Sequence, residues 1–206
     1  MTNHNIFNKL FFLAKVILIY LLFCININSS EQSIKEELIT VGTNDAPVKI
    51  KIFSSLTCPH CANFHKSVVP KLKKYVDSGK VQIIFIDFPL DKAAFNASKL
   101  LHCLDKKKQI SFLDKIYENQ EKWISGSTID EINNNLKKIV KSFGISNVEF
   151  DKCVNNDIIA NRILNSRIDA HKKYSIEATP TIVINEKKLK EPNNFNNIIK
   201  RIEKLI

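Results

Sequence analysis

Glycine and proline are scarce, 4 and 6 among 206 residues, and there is a single tryptophan and a single methionine. That excludes a collagen-like or low-complexity chain, and neither an internal repeat nor a flexible linker interrupts the text. With 44% hydrophobic and 25% charged residues, the chain has the composition and length of one globular domain, with or without an inserted subdomain. A single basic stripe is also missing. The net charge is +10, but the lysines come in twos and threes ("KLKK", "DKKKQ", "EKKLK") among acids and without interleaved aromatics. A solvated surface is the better reading, and no nucleic-acid partner is expected.

Acids are absent from the first thirty residues, "MTNHNIFNKLFFLAKVILIYLLFCININSS". Lys9 and Lys15, the apolar run Val16 to Ile25 and the small Ser29 and Ser30 have the order of a secretory signal peptide. Asn26 and Asn28 interrupt the stretch, so a full membrane span is not well made, although a retained N-terminal anchor is the alternative. The "LLFC" ending at Cys24 is a poor lipoprotein signal, because Phe23 stands where a small residue is wanted. Residues 1–30 are therefore expected to be a leader, and the exported chain carries 29 basic and 21 acidic residues. Four cysteines remain, Cys58, Cys61, Cys103 and Cys153. Disulfides persist outside the cytosol, and an even count fits two bridges.

Beyond the leader, "ELITVG" reads as an edge strand, and Asn44 to Pro47 as a turn. "VKIKIFSS" (Val48 to Ser55) alternates and then turns apolar, as a strand entering a sheet does. Cys61, Phe64, Val68 and Leu72 recur at helical spacing, with a kink expected at Pro70. Gly79 releases the chain into "VQIIFIDF", an apolar run suited to a strand covered on both faces. From Asp91 to Tyr174 the pattern is helical. Phe112, Ile116 and Trp123 are assigned to one helix, Thr128 with Glu131 and Ser146 with Glu149 read as capping boxes, and a longer helix covers Asp157 to Tyr174. "ATPTIVIN" returns to strand, with a turn at Glu186–Lys187 and a last helix over Asn193 to Ile206.

The chemistry lies in "SSLTCPHCANFH", where Cys58 and Cys61 open a helix directly after a strand. A zinc site wants four nitrogen or sulfur ligands, usually as two close pairs, and only one close pair exists; His102 beside Cys103 lacks companions. A permanent Cys58–Cys61 staple would close a tiny ring and stabilise little. Redox chemistry suits the placement better. A cysteine at a helix N-terminus feels the positive end of the macrodipole and unpaired N–H groups, both favouring thiolate. Pro59 has no N–H to satisfy in the first turn, and His60 adds a donor or a positive charge. Stabilising the thiolate of the reduced pair destabilises its disulfide and makes it an oxidant.

"FSSLTCPHC", "FPLDKAAFNASKLLHC", "NQEKW" and "ATPTIVIN", with the strand–helix–strand frame and the helical segment, resemble the DsbA-type thiol:disulfide oxidoreductases. The likeness runs from about Val41 to the C-terminus. It implies an α/β, thioredoxin-like fold over residues 31–90 and 175–206, with residues 91–174 as an inserted all-helical subdomain. DsbA is itself the standard example of a strong oxidant with an acidic cysteine, so that property comes with the resemblance and not from these residues. Carried over, Cys58 is the exposed nucleophile, Cys61 resolves mixed disulfides, His60 tunes the potential, and Pro180 is a cis-proline facing the sulfurs. Thr179 offers its backbone to an extended substrate in the manner of strand addition. From its residues alone, Pro180 also reads as an edge-strand proline. No cofactor beyond the Cys58–Cys61 disulfide is implied. The implied partners are reduced, unfolded exported proteins and a membrane reoxidase of DsbB type, with the protein acting as a monomer in the periplasm.

Two positions depart from that family. Many members carry an acid on the strand six residues before the first cysteine, where this chain has Ile52, so the proton acceptor for Cys61 is unassigned. Thr179 stands where the best-known enterobacterial oxidase has valine, as in thiol isomerases. Cys103 and Cys153 read as a second, non-catalytic bridge, favoured by export and even count over two separate buried thiols. The competing functions are an isomerase or reductase on the same fold, a zinc module, and a redox-inactive chaperone.

Overall fold

The structure, a computed structural model, describes residues Leu38–Ile206; the leader expected over residues 1–30 lies outside the described residues. Apolar alternation in Val48–Ser54 makes this segment (β2) the centre of the sheet, with Val48, Ile50 and Ile52 buried on one face and Phe53 on the other. Beside it runs Val81–Asp87 (β3), parallel, with Ile52 opposite Phe85 and Ser54 opposite Asp87. β3 is buried at Val81 through Phe85, as expected of a strand covered on both faces. The edge strand Ile39–Val41 (β1) pairs antiparallel with β3, and Thr181–Ile184 (β4) pairs antiparallel with the other side of β2. Lys187–Lys188 (β5) closes the order β1-β3-β2-β4-β5. After β1 the chain crosses close to β3 at Gly42 (φ +103°), where a Cβ would stand 2.6 Å from the Val81 carbonyl oxygen. Only glycine fits there.

The segment between β2 and β3 differs from a single kinked helix. It forms two, Pro59–Ser67 (α1) and Val69–Asp77 (α2), broken at Val68. Pro70 lacks an N–H and its ring would meet the carbonyl four residues back, so the ladder stops and restarts with proline in the first turn of α2. Six helices separate β3 from β4: Lys92–Cys103 (α3), Lys106–Glu118 (α4), Gln120–Trp123 (α5), Ile129–Lys141 (α6), Asn147–Val154 (α7) and Asp157–Tyr174 (α8). Both capping boxes are formed, Thr128 with Glu131 opening α6 and Ser146 with Glu149 opening α7. Phe112 and Ile116 belong to α4, whereas Trp123 sits on the separate α5 and donates its indole N–H to the Ile116 carbonyl at 3.0 Å. The turn after β4 falls one residue early, at Asn185 and Glu186, both at positive φ, and the last helix (α9) is shortened to Phe195–Ile202.

One core joins Ile50 and Ile52 of the sheet to Leu100, Phe112, Trp123, Leu136 and Phe150 of the helices and to Ile198 of α9. The opposite face of the sheet is covered by Ala170 of α8 and Ile176 against Phe53, Phe88 and Val183. Among the described residues no helix is long and apolar enough to cross a membrane.

At the β4–β5 turn the Glu186 carboxylate receives Lys173 and Lys51, at 2.6 and 2.5 Å, and the Tyr174 hydroxyl. These donors, Lys173 first, hold its carboxyl down at about 2, against an ordinary value of 4.5. A depressed carboxyl stabilises the fold above its unfolded value and loses that contribution as pH falls through the folded one. Glu186→Gln is expected to melt lower than the native chain at neutral pH. In calorimetric scans that gap should close as pH falls from 4.5 to about 2; a gap independent of pH would refute the pairing.

Candidate active site

Cys58 is the N-cap of α1 and Pro59 its first residue, so the missing N–H of proline falls where no intrahelical partner exists. Its backbone N–H donates to the Ser55 carbonyl at 3.1 Å. The carbonyl of Cys58 accepts the Ala62 N–H at 3.1 Å, starting the helix. One turn on, Cys61 points inward at 1% exposure, whereas Cys58 is half-buried and Pro59 and His60 are exposed. Neither sulfur is bonded to another. Against them lies the loop entering β4, where the Thr179–Pro180 bond is cis. The Cys58 thiol faces the Thr179 carbonyl oxygen at 3.4 Å. The Thr179 hydroxyl, buried and without another hydrogen bond, lies against Cys61. Asn193 anchors the loop from behind, donating its side-chain amide to the Pro180 carbonyl at 2.6 Å.

The two sulfurs differ chiefly in access to water. Burial pushes the Cys61 thiol up to about 12; the Thr179 hydroxyl and the Ser55 backbone work against that rise, and the neighbouring Cys58 adds to it. An anion in that position has little solvent to stabilise it.

Sequence reasoning missed Gln120 as a site residue. This buried side chain of α5 donates to the carbonyls of Leu56 and Cys58, at 2.8 and 3.0 Å. Since both neighbours are carbonyl oxygens, the amide nitrogen must face them. A second set of bonds holds the same loop from α3. Leu90 N–H donates to Ser55 Oγ at 3.3 Å, Ser55 Oγ and Thr57 Oγ1 are 3.2 Å apart, and Thr57 Oγ1 donates to Asp91 Oδ2 at 2.6 Å. Asp91 is also the N-cap of α3, accepting the Ala94 N–H at 2.8 Å. The only available signal was a glutamine in the "NQEKW" stretch, and nothing in its spacing says that it folds back onto Cys58.

Ile52 is buried at 1% exposure with Phe85 and Ile182 as its strand partners, so no acid stands behind the pair at that position. Cys103, the last residue of α3, is bonded to Cys153 of α7, with Cα atoms 6.1 Å apart across 50 residues. His102 is not a surface residue. Its Nε2 pairs with Asp87 Oδ2 at 2.7 Å, and the two side chains are 12% and 9% exposed. Among the described residues no group of three or more histidines, cysteines and acids is placed to hold a metal.

A strand leading into an N-terminal Cys-X-X-Cys helix, a cis-proline loop opposite, and a sheet in the order β1-β3-β2-β4-β5 define the thioredoxin class of redox folds. The chain belongs to the thioredoxin family, whose model matches residues 35–204, and is of the DsbA type. The crystal structure of Wolbachia pipientis alpha-DsbA1 superposes with a TM-score of 0.74 at 28% identity, covering 82% of this chain and 90% of that one. Oxidised BdbD from Bacillus subtilis gives 0.66 at 25% identity, covering 81% and 91%. A relative from Rickettsia bellii, provisionally named a protein-disulfide oxidoreductase, is 29% identical over 84% of this chain and 66% of its own length. One from Rickettsia prowazekii with a similar name is 30% identical over 82% and 61%. The chain thus spans less than two thirds of the length of these Rickettsia relatives.

Two outcomes follow from the geometry. In a Cys58→Ser chain, Cys61 should resist alkylation through the neutral range, its rate climbing with pH without the plateau that an ordinary thiol shows near about 8.5. Gln120→Leu leaves two carbonyls of the active-site loop short of a donor, one of them with a remaining helical bond. It should cost about 1–3 kcal/mol in denaturant unfolding, and an unchanged midpoint would mean the clamp contributes nothing.

Proposed function

We propose that this protein is an exported dithiol oxidase, carrying a Cys58–Cys61 disulfide that it passes to reduced, unfolded secreted or periplasmic proteins. The observation that carries this reading is the unequal exposure of the two sulfurs at the start of α1, with Cys58 half-buried and facing the Thr179 carbonyl and Cys61 buried beneath it. An incoming substrate thiolate meets Cys58 first. It forms a bond to the Cys58 sulfur and breaks the bond to Cys61, which leaves as a thiolate and takes up a proton. A second substrate thiolate then attacks the substrate sulfur of the mixed disulfide and expels the Cys58 thiolate. Two electrons pass from substrate to protein, and no cofactor besides the cysteine pair is called for.

The remaining residues take supporting roles. Pro59 and His60 lie exposed in the first turn, where His60 donates to or charges the neighbourhood of the departing Cys58 anion and so raises the potential of the pair. Thr179 and Pro180 line the side from which an extended peptide approaches, with main-chain pairing in the manner of strand addition. The Cys103–Cys153 bond ties two helices of residues 91–174, which act as a subdomain inserted in the thioredoxin-like fold of 31–90 and 175–206, and takes no part in exchange. Reoxidation falls to a membrane partner of DsbB type. The leader over residues 1–30 supports export to the periplasm, with the protein acting as a monomer.

Thr179 ahead of the cis-proline favours a second reading, an isomerase or reductase on the same fold. The potential of the pair separates the two. Equilibration with glutathione should place it well above the value of about −270 mV typical of thioredoxin; a value at or below that overturns the oxidase reading. Cys58→Ser should abolish oxidation of a reduced, unfolded test protein, and surviving activity would place the chemistry elsewhere.

A further inference from the structure

Three large apolar side chains stay exposed around one concavity: Leu90 at 48%, Leu164 at 40% and Ile168 at 48%. Leu90 follows β3, and Leu164 and Ile168 stand one turn apart on α8. With the buried Phe88 and Ile176 they line a groove of about 640 Å3. Phe88 and Ile176 pack with Phe53 and Val183, on the face of the sheet away from Ile198 of α9. Single exposed apolar residues are ordinary, but several around one groove mark a docking site. Both chain segments that border this groove lead to the cysteine pair. Leu90 N–H donates to Ser55 Oγ, and the next residue, Asp91, holds Thr57, which precedes Cys58. On the other side, Ile176 and Glu177 run directly into Ala178 and Thr179, whose carbonyl faces the Cys58 thiol at 3.4 Å. His171 Nδ1 donates to the Ile176 carbonyl at 2.9 Å and ties that segment to α8. The groove is also charged in one sense. Arg167 and Lys172 line it with a single acid, Glu177, and among the described residues neither cation is paired with a carboxylate. The Arg167 guanidinium stands 5.2 Å from the centre of the Phe88 ring, beside the apolar lining.

We propose that this groove is a specificity subsite for the polypeptide being oxidised, holding one apolar and one acidic side chain of the substrate close to its reacting cysteine. The inference rests on the oxidoreductase reading above and names the substrate segment that the site selects. Continuity with the cysteine pair and the two unpaired cations argue for this occupant. With the substrate cysteine on Cys58 and its backbone alongside Thr179, residues two and three positions along pass Glu177 and Ile176, where the groove begins. An extended chain rises about 3.3 Å per residue, so a few residues are enough to fill it. The apolar side chain displaces water from Leu90, Leu164 and Ile168, and the acid meets Arg167 or Lys172. A reduced, unfolded chain exposes apolar residues that its folded product buries. The contact is therefore made with substrate and lost when the product folds. No bond is made or broken in the groove; it adds selection to the exchange at Cys58.

The test is the rate at which the oxidised protein converts short dithiol peptides to their disulfides, quenched with acid and read by mass as the peptide's loss of two hydrogens. Each turnover reduces one Cys58–Cys61 disulfide to two thiols. One set of peptides carries a phenylalanine–glutamate pair about two to four residues before or after the first cysteine. Controls replace the phenylalanine by serine or the glutamate by lysine. At the best placement the native protein should oxidise the parent peptide about tenfold faster than the serine control. It should prefer glutamate to lysine by about threefold at low salt, and that second preference should fade at about 1 M salt. Ile168→Ser should flatten the first preference, and Arg167→Glu with Lys172→Glu should invert the second. Each readout is a ratio between peptides on one protein, so partial misfolding does not imitate it. A native protein that does not discriminate, or preferences that survive in the variants, overturn the subsite. A native dimer in sedimentation that Ile168→Ser splits also overturns it, since a second copy then fills the groove. A native protein that oxidises neither the peptides nor dithiothreitol would instead overturn the oxidoreductase reading.

Discussion

Desolvation of one sulfur, with its neighbour one helical turn away left at the surface, is the constraint from which the remaining features of the site follow. Cys61 is pushed up to about 12 mainly by burial, so an anion there is unfavourable, whereas Cys58 at the N-cap faces the loop mouth. The two sulfurs therefore differ in access, Cys58 half-buried and Cys61 buried, and the proposed direction of exchange rests on that difference. The asymmetry arises from the strand–helix junction. β2 ends at Ser54, Ser55 and Leu56 are buried behind it, and the helix begins at the exposed Pro59.

That junction is held by elements distant in sequence. Gln120 of α5 grips the carbonyls of Leu56 and Cys58, and Asp91 at the start of α3 holds Thr57. Carbonyl oxygens of a loop buried without donors would be costly, and the helices between β3 and β4 supply them. The same helices bring Tyr117 against His65 of α1 and His102 against Asp87 of β3. The active-site loop therefore draws its rigidity from residues 91–123, which share one apolar core with the sheet.

Much of the fold was legible because it rests on periodicity and punctuation. β2 and β3 announced themselves by apolar alternation and an apolar run, and α6 and α7 by capping boxes whose partners are three residues apart. Proline chemistry was legible in kind but not in degree, since Pro70 ends one helix and begins another where a kink was expected. Within the site, the Cys58–Cys61 pair at a helix start was readable because its pattern is local, whereas the cis bond at Pro180 came only with the family resemblance, its residues alone also fitting an edge-strand proline. Gln120 was not readable. Its hydrogen bonds to Leu56 and Cys58 span 64 and 62 residues, and neither its type nor its neighbours marks it out from an ordinary helix residue. His102 is a packed residue, as against a metal ligand, but its pairing with Asp87 on a strand was not legible from its neighbours.

The apolar residue at position 52 and the acid at position 87 each have a physical rationale in this sheet. β2 is flanked on both sides, and Ile52 sits between Phe85 and Ile182 among Val48, Ile50 and Leu56. A carboxylate there would be stranded in an apolar layer unless dedicated donors surrounded it, at a cost of several kcal/mol by burial alone. At the last residue of β3, Asp87 meets the hydroxyl of Ser98 and the imidazole of His102, one turn apart on α3. The chain thus holds its carboxylate at the end of a strand, where donors meet it, and leaves the centre of its sheet apolar. The arrangement depends on α3 ending where it does, and the Cys103–Cys153 bond fixes that end one residue beyond His102.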